Sequence, residues 1–130
     1  VLAVDGSTAS KRAGQFLLKT MTPRTGGRTE APITVTVTHA MAFLNYPELR
    51  EAGKRILEDC SAKLLRAGYR VEQVPTIGNP ADEVLKTAEG HEADLIVTGA
   101  KGLGAVSRFL LGSVSTRVVQ HAQCSVLVVR

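Results

Sequence analysis

The sequence predicts an α/β fold, an open doubly wound five-stranded parallel sheet with helices on both faces. Two observations carry the prediction. Short apolar runs rich in β-branched residues recur five times, separated by amphipathic stretches. The runs are mostly apolar rather than alternating, as strands buried on both faces require. Right-handed crossovers then wind the sheet open, and a reversal placed between the first and fourth strands gives the order 3-2-1-4-5.

Val1–Val4 reads as the first strand and Asp5-Gly6-Ser7 as a turn. Ser7 can cap a helix that turns Ala9, Ala13, Phe16, Leu17 and Met21 inward. Thr22–Pro32, rich in Pro, Gly and Thr and without periodicity, reads as a surface loop. Ile33–Thr38 alternates β-branched residues as a second strand. Pro47 opens a helix with Leu49, Ile56, Leu57, Cys60, Leu64 and Ala67 on one face, and Gly68 ends it. Tyr69–Thr76 is the third strand. Asn79-Pro80 starts a helix with Asp82 and Glu83 in its first turn, with Val84, Leu85 and Ala88 inward and Gly90 as its stop. Asp94–Thr98 is the fourth strand. After a glycine-rich stretch, Ser113–Ala122 forms a helix burying Val114, Val118 and Val119, and Ser125–Val129 is the fifth strand.

Composition narrows the class. The 130 residues suit one ordinary domain, spanning 1–130, that folds without disulfides. Hydrophobic residues at 44% and charged residues at 22% are near average usage, which excludes disorder and membrane classes. No apolar run approaches the roughly 20 residues of a spanning helix. The opening Val1–Asp5 lacks both an initiator Met and the basic start of a signal peptide, so the chain is expected to be trimmed at its N-terminus. Cys60 and Cys124 stand at apolar positions and read as buried reduced thiols, which fits a cytoplasmic location. A net charge of +4 favours anionic ligands. With five aromatics and no basic run among them, a nucleic-acid partner is excluded.

In such sheets ligands bind beyond the carboxyl ends of the strands, where strand order reverses. Two loops reach that place, Asp5-Gly6-Ser7 after the first strand and Gly99-Ala-Lys-Gly102-Leu-Gly104 after the fourth. Glycines let backbone N–H groups approach phosphate oxygens, and the helix start at Gly112-Ser113 adds unpaired donors and a favourable dipole. The stretch is not a P-loop, because Gly104 is followed by Ala105 rather than Lys. Nor does it fit the dinucleotide fingerprint, since Gly102-x-Gly104-x-x-Ser107 lacks the third glycine and follows the fourth strand.

Gly99-x-x-Gly102, nine residues, then Gly112-Ser113 resembles the ATP-binding motif of universal stress proteins. Val1-Leu-Ala-Val-Asp-Gly-Ser7, Gly78-Asn-Pro80, Phe109-Leu-Leu-Gly-Ser-Val114 and Cys124-Ser-Val-Leu-Val-Val129 are similar to that family as well. The resemblance implies the 3-2-1-4-5 sheet, a crevice for ATP, and homodimers formed through the fifth strands. It places Asp5 against the adenosine, with its carboxylate accepting from ribose hydroxyls. Gly99 and Gly102 would let the chain wrap the phosphates, and Gly112, Ser113 and Ser115, with Val114 among them, would hold the phosphate tail. Ala3 and Thr98 would line the base or sugar, and Ala40 stands where the family usually has Val. Ser125 departs from a common Pro, and the Thr22–Pro32 loop is long for the family.

Lys101 and Arg108 flank the motif and are as well explained as solvated side chains. His39, His91 and His121 show no metal spacing, so a metal would enter only as Mg²⁺ on the phosphates. No Ser-His-Asp set, paired carboxylates or activated Cys can be assembled, which leaves a nucleotide-dependent regulatory module as the leading reading. A weak ATPase or autophosphorylating enzyme using Ser113 or Ser115, and a non-binding interaction domain, are its rivals.

Overall fold

The computed structural model describes residues 1–21, 33–41, 46–102 and 111–130. The Thr22–Pro32 loop and Gly104, Ser107, Arg108 and Phe109 lie outside the described residues. The elements run β1 (Leu2–Ala3), α1 (Thr8–Thr20), β2 (Thr34–Met41), α2 (Pro47–Arg66), β3 (Arg70–Ile77), α3 (Pro80–Gly90), β4 (Leu95–Gly99), α4 (Ser113–His121) and β5 (Ser125–Val129). All strand pairs are parallel, and the order is β3-β2-β1-β4-β5, as the sequence predicts. Leu2 stands opposite Val37 on one side and Val97 on the other, which centres β1 in the sheet.

Alternation along the central strands divides the core into two layers. Leu2, Val4, Val35, Val37 and Val97 face α1 and α2, where they meet Ala13, Leu17, Leu57 and Leu64. Ala3 and Ile96 face the other way, onto Ala81, Val84 and Ala88 of α3 and Val118 of α4. The chain therefore leaves β1 toward one face and β4 toward the other. Two adjacent strand ends diverge there and open a crevice between them.

Local chemistry fixes the helix ends. The Ser7 hydroxyl accepts from the Ser10 amide at 3.1 Å and starts α1. Asn79 accepts from Ala81 and Asp82 at the start of α3, where Pro80 needs no amide partner. Gly68, at φ +89°, ends α2 as predicted. Tyr69, just beyond it, shares its one hydroxyl proton between the carbonyls of Leu17 in α1 and of Met21, the residue that ends α1, and so ties α1 to the start of β3. Burial pushes that phenol above its ordinary pKa.

Four details differ from the sequence reading. Gly90 is the last helical residue of α3, and the left-handed turn that ends it is taken by Glu92 at φ +47°. Val119 is 48% exposed, because the inward stripe of α4 runs through Val114, Ser115 and Val118. Leu49 is 54% exposed. The buried stripe of α2 begins at Gly53, which packs on His39 and Met41, and Leu49 sits one turn further out, past the end of β2. Ala67 is exposed where α2 turns toward Gly68. Among the described residues no helix is long and apolar enough to cross a membrane.

Candidate functional site

The crevice at the carboxyl ends of β1, β2 and β4 is a cavity of about 600 Å³, inside the range of small-molecule sites, which is roughly 300–1,000 Å³. All ten residues singled out from the sequence line it. Ala3 and Asp5 come from the end of β1 and its loop, and Ala40 from the end of β2. Thr98, Gly99 and Gly102 follow β4, and Gly112, Ser113, Val114 and Ser115 open α4. Sequence reasoning missed Val4, Ser10, Thr38, His39, Pro80, Val84 and Leu111, which also line it; Ser7 it placed in the facing loop only as a cap, and Lys101 it left as well explained by solvent.

Two segments, separated in sequence, are fastened at the cavity floor. The Gly112 amide donates to the Ala100 carbonyl at 2.7 Å, and the Ser115 hydroxyl lies 2.9 Å from the same carbonyl and 3.0 Å from that of Gly112. Ser115 is buried, so its proton is engaged by the backbone and its part in the site is to join α4 to the segment after β4. The amides of Ser113, Val114 and Ser115 have no intrahelical partner. Gly112, lacking a side chain, supplies no cap for them. α1 and α3 are both capped by side chains, whereas α4 opens onto the cavity with no side-chain cap and, among the described residues, no partner for its first amides, so its positive dipole end suits an anion.

The glycines act differently from one another and from the expectation. A Cβ on Gly99 would lie 2.6 Å from the carbonyl carbon of Ala9 and 2.7 Å from the Ser10 amide nitrogen, so this glycine exists to admit α1 against β4. On Gly112 it would lie 3.3 Å from the Ala100 carbonyl oxygen, against the neighbouring strand of chain. On Gly102 it would reach 2.8 Å from Oδ2 of Asp5. At Gly99 and Gly112 the missing side chain leaves space for neighbouring backbone, and at Gly102 for the Asp5 carboxylate.

Asp5 bends its own loop. Its Oδ1 accepts from the Ser7 amide at 2.9 Å, the Asx turn expected of an Asp after a strand, while Oδ2 lies toward Gly102. His39 Nδ1 stands 2.7 Å from the Val4 carbonyl. A carbonyl only accepts, so Nδ1 carries the proton and the ring is held across the ends of β1 and β2. Asp5, His39 and Lys101 are the ionisable residues among the described lining. Among the described residues no group of three His, Cys, Asp or Glu can hold a metal. Cys60 and Cys124 are both free and partly buried, and burial pushes the Cys60 thiol up to about 11.

Strand order and crevice define a doubly wound α/β protein with a cavity at the reversal point. The profile of the universal stress protein family matches residues 1–130, and the chain belongs to that family. A universal stress protein of Thermus aquaticus, encoded 3′ of a QAH/OAS sulfhydrylase, is 39% identical over 139 residues, covering all of this chain and 96% of its own length. Two solved structures share the architecture at 25% identity. An Arabidopsis thaliana universal stress protein family protein with AMP bound matches 98% of this chain and 88% of its own, with a TM-score of 0.72. A universal stress protein in complex with cAMP matches 99% and 94%, with a TM-score of 0.66.

Proposed function

We propose that this chain, acting as one domain over 1–130, binds an adenine nucleotide, ATP, in the crevice and works as a nucleotide-dependent regulatory module in the cytoplasm. The observation that carries the reading is the start of α4, without a side-chain cap, on a cavity that Ala3, Ala40 and Thr98 also line. A phosphate chain accepts from the first amides of α4 and is favoured by the positive end of the helix dipole, which a cationic ligand is not. The relatives that carry AMP and cAMP support the same class of ligand. In this reading Asp5 receives ribose hydroxyls, Ala3, Ala40 and Thr98 bound the nucleoside, and Gly102, Gly112, Ser113 and Val114 present backbone to the phosphates. Mg²⁺ accompanying ATP would be held chiefly by phosphate and water oxygens.

A homodimer through β5 belongs to the same proposal. β5 is an edge strand with Val126–Val129 only partly buried, an apolar edge of the kind that a second copy covers. The two free cysteines fit a reducing compartment.

Ser113→Asp tests the site with effects of opposite sign on fold and ligand. At the first turn of α4 a carboxylate stabilises the helix by about 0.3–1 kcal/mol. Against a phosphate about 4–6 Å away it costs roughly 3–4 kcal/mol at an effective dielectric of about 20. Calorimetric titration should show ATP binding by the parent chain and at least 100-fold weaker binding by the variant, with an equal or higher melting temperature. Undiminished affinity in the variant would remove the phosphates from α4, and no binding by the parent would end the nucleotide reading.

A further inference from the structure

Resting on the nucleotide reading above, we infer that Ser7 is a positioning residue for the phosphate end of the site. Its hydroxyl has two partners, accepting from the Ser10 amide at 3.1 Å and donating to the Lys101 carbonyl at 3.3 Å. The first bond caps α1. The second crosses 94 residues of sequence and ties the cap to the segment between β4 and α4. Ser7 is only 7% exposed, so water does not readily replace the bond once it is lost.

Ser7 is fixed in its turn from both sides. Its amide donates to Asp5 Oδ1 at 2.9 Å, and its carbonyl accepts from the Ser10 hydroxyl at 3.1 Å. The residue that fixes the Asx turn of Asp5 therefore also anchors Lys101-Gly102. Nucleoside and phosphate ends of the crevice share one small hydroxyl network. From its other side Lys101 is crossed by the Gly112–Ala100 bond, so the segment is pinned toward α4 as well as toward α1. Loss of the Ser7 tether leaves, among the described residues, the bonds at Ala100, from α4 and to the Val129 carbonyl at 2.7 Å, and Gly102 then drifts relative to Asp5.

Capping and tethering can be separated. Thr and Gly are about equal as N-caps, both somewhat below Ser, yet only Thr keeps a hydroxyl donor. Ser7→Thr and Ser7→Gly thus match in their effect on the start of α1 and differ in the bond to Lys101. The ratio of ATP to adenosine affinity, measured calorimetrically, isolates the phosphate end from the nucleoside end. Ser7→Thr should keep the parent ratio. Ser7→Gly should lower it roughly 3- to 10-fold, the effect of one net hydrogen bond, with adenosine affinity unchanged. Backbone ¹⁵N relaxation of the ligand-free proteins supplies a second reading, with Lys101 and Gly102 more mobile in Ser7→Gly than in Ser7→Thr. Equal ratios in the two variants, or equal mobility at Lys101 and Gly102, would overturn the inference. If the parent binds neither ligand the nucleotide reading fails separately, and the relaxation comparison still decides whether the tether exists.

Discussion

Gly99→Ala is the perturbation for which the structure sets a magnitude most directly. The added Cβ would stand 2.6 Å from the Ala9 carbonyl carbon, 2.7 Å from the Ser10 nitrogen and 2.8 Å from the Ala9 Cβ. Carbon atoms rest about 3.5–4.0 Å apart, so α1 and β4 must separate by roughly 1 Å at this point. The obstacle is helix backbone, which does not rotate away as a side-chain tip would. Overpacking costs about 1–3 kcal/mol, and contact with backbone places this case at the upper end. For a chain of this size that is a fall in melting temperature of roughly 10 °C. Gly90→Ala is the control, because nothing lies within 4 Å of its Cβ and it stands in the last turn of α3. It should be neutral or stabilising by up to about 1 kcal/mol. Thermal unfolding followed by circular dichroism measures both. A Gly99→Ala melting temperature within about 2 °C of the parent would refute the claim that this glycine serves helix packing.

Further outcomes follow from the buried polar groups. Cys60, with its thiol pushed up to about 11, should react with iodoacetamide at pH 8 roughly 100-fold more slowly than an unperturbed thiol, since two pH units separate the pKa values. The Cys124→Ser variant isolates the rate, and reaction as fast as free cysteine would contradict the burial. The same shift fixes a sign for stability. The folded pKa lies above the unfolded one, so this contribution is complete below about pH 9 and is lost as pH rises toward about 11. Denaturant midpoints should fall over that window, and by less in Cys60→Ala. Ser61 is buried with no partner for its hydroxyl among the described residues, so Ser61→Ala should be neutral or stabilising by about 1 kcal/mol in urea unfolding; a loss of more than about 1 kcal/mol would mean that the hydroxyl is satisfied.

Much of the fold is legible because parallel strands covered on both faces are buried throughout, which Ile96-Val97 meets with apolar residues and Val35–Val37 with β-branched ones. The caps at Ser7 and Asn79 and the stop at Gly68 are equally legible, being chemistry within three or four residues. Helix faces were harder to read. Val118 and Val119 are adjacent, identical in hydropathy, and differ only in which side of α4 the sheet lies on. The positions of the site residues follow from topology, since the loops after β1 and β4 must meet where the strand order reverses. Their individual tasks do not. Gly99 reads as a phosphate glycine but is packed against Ala9, Ser115 reads as a ligand hydroxyl but is spent on Ala100, and Ser7 reads as a cap but also reaches Lys101. Each of the three depends on a partner in a distant segment, which spacing along the chain does not encode.

The most direct test is a ¹⁵N-labelled titration with ATP, observing the amides of Ser113, Val114 and Ser115. Binding as described moves these three resonances together and saturably, with Asp5 and Ala40 following from the nucleoside side. Saturable shifts confined to other residues, while the first turn of α4 stays unmoved, would contradict the account.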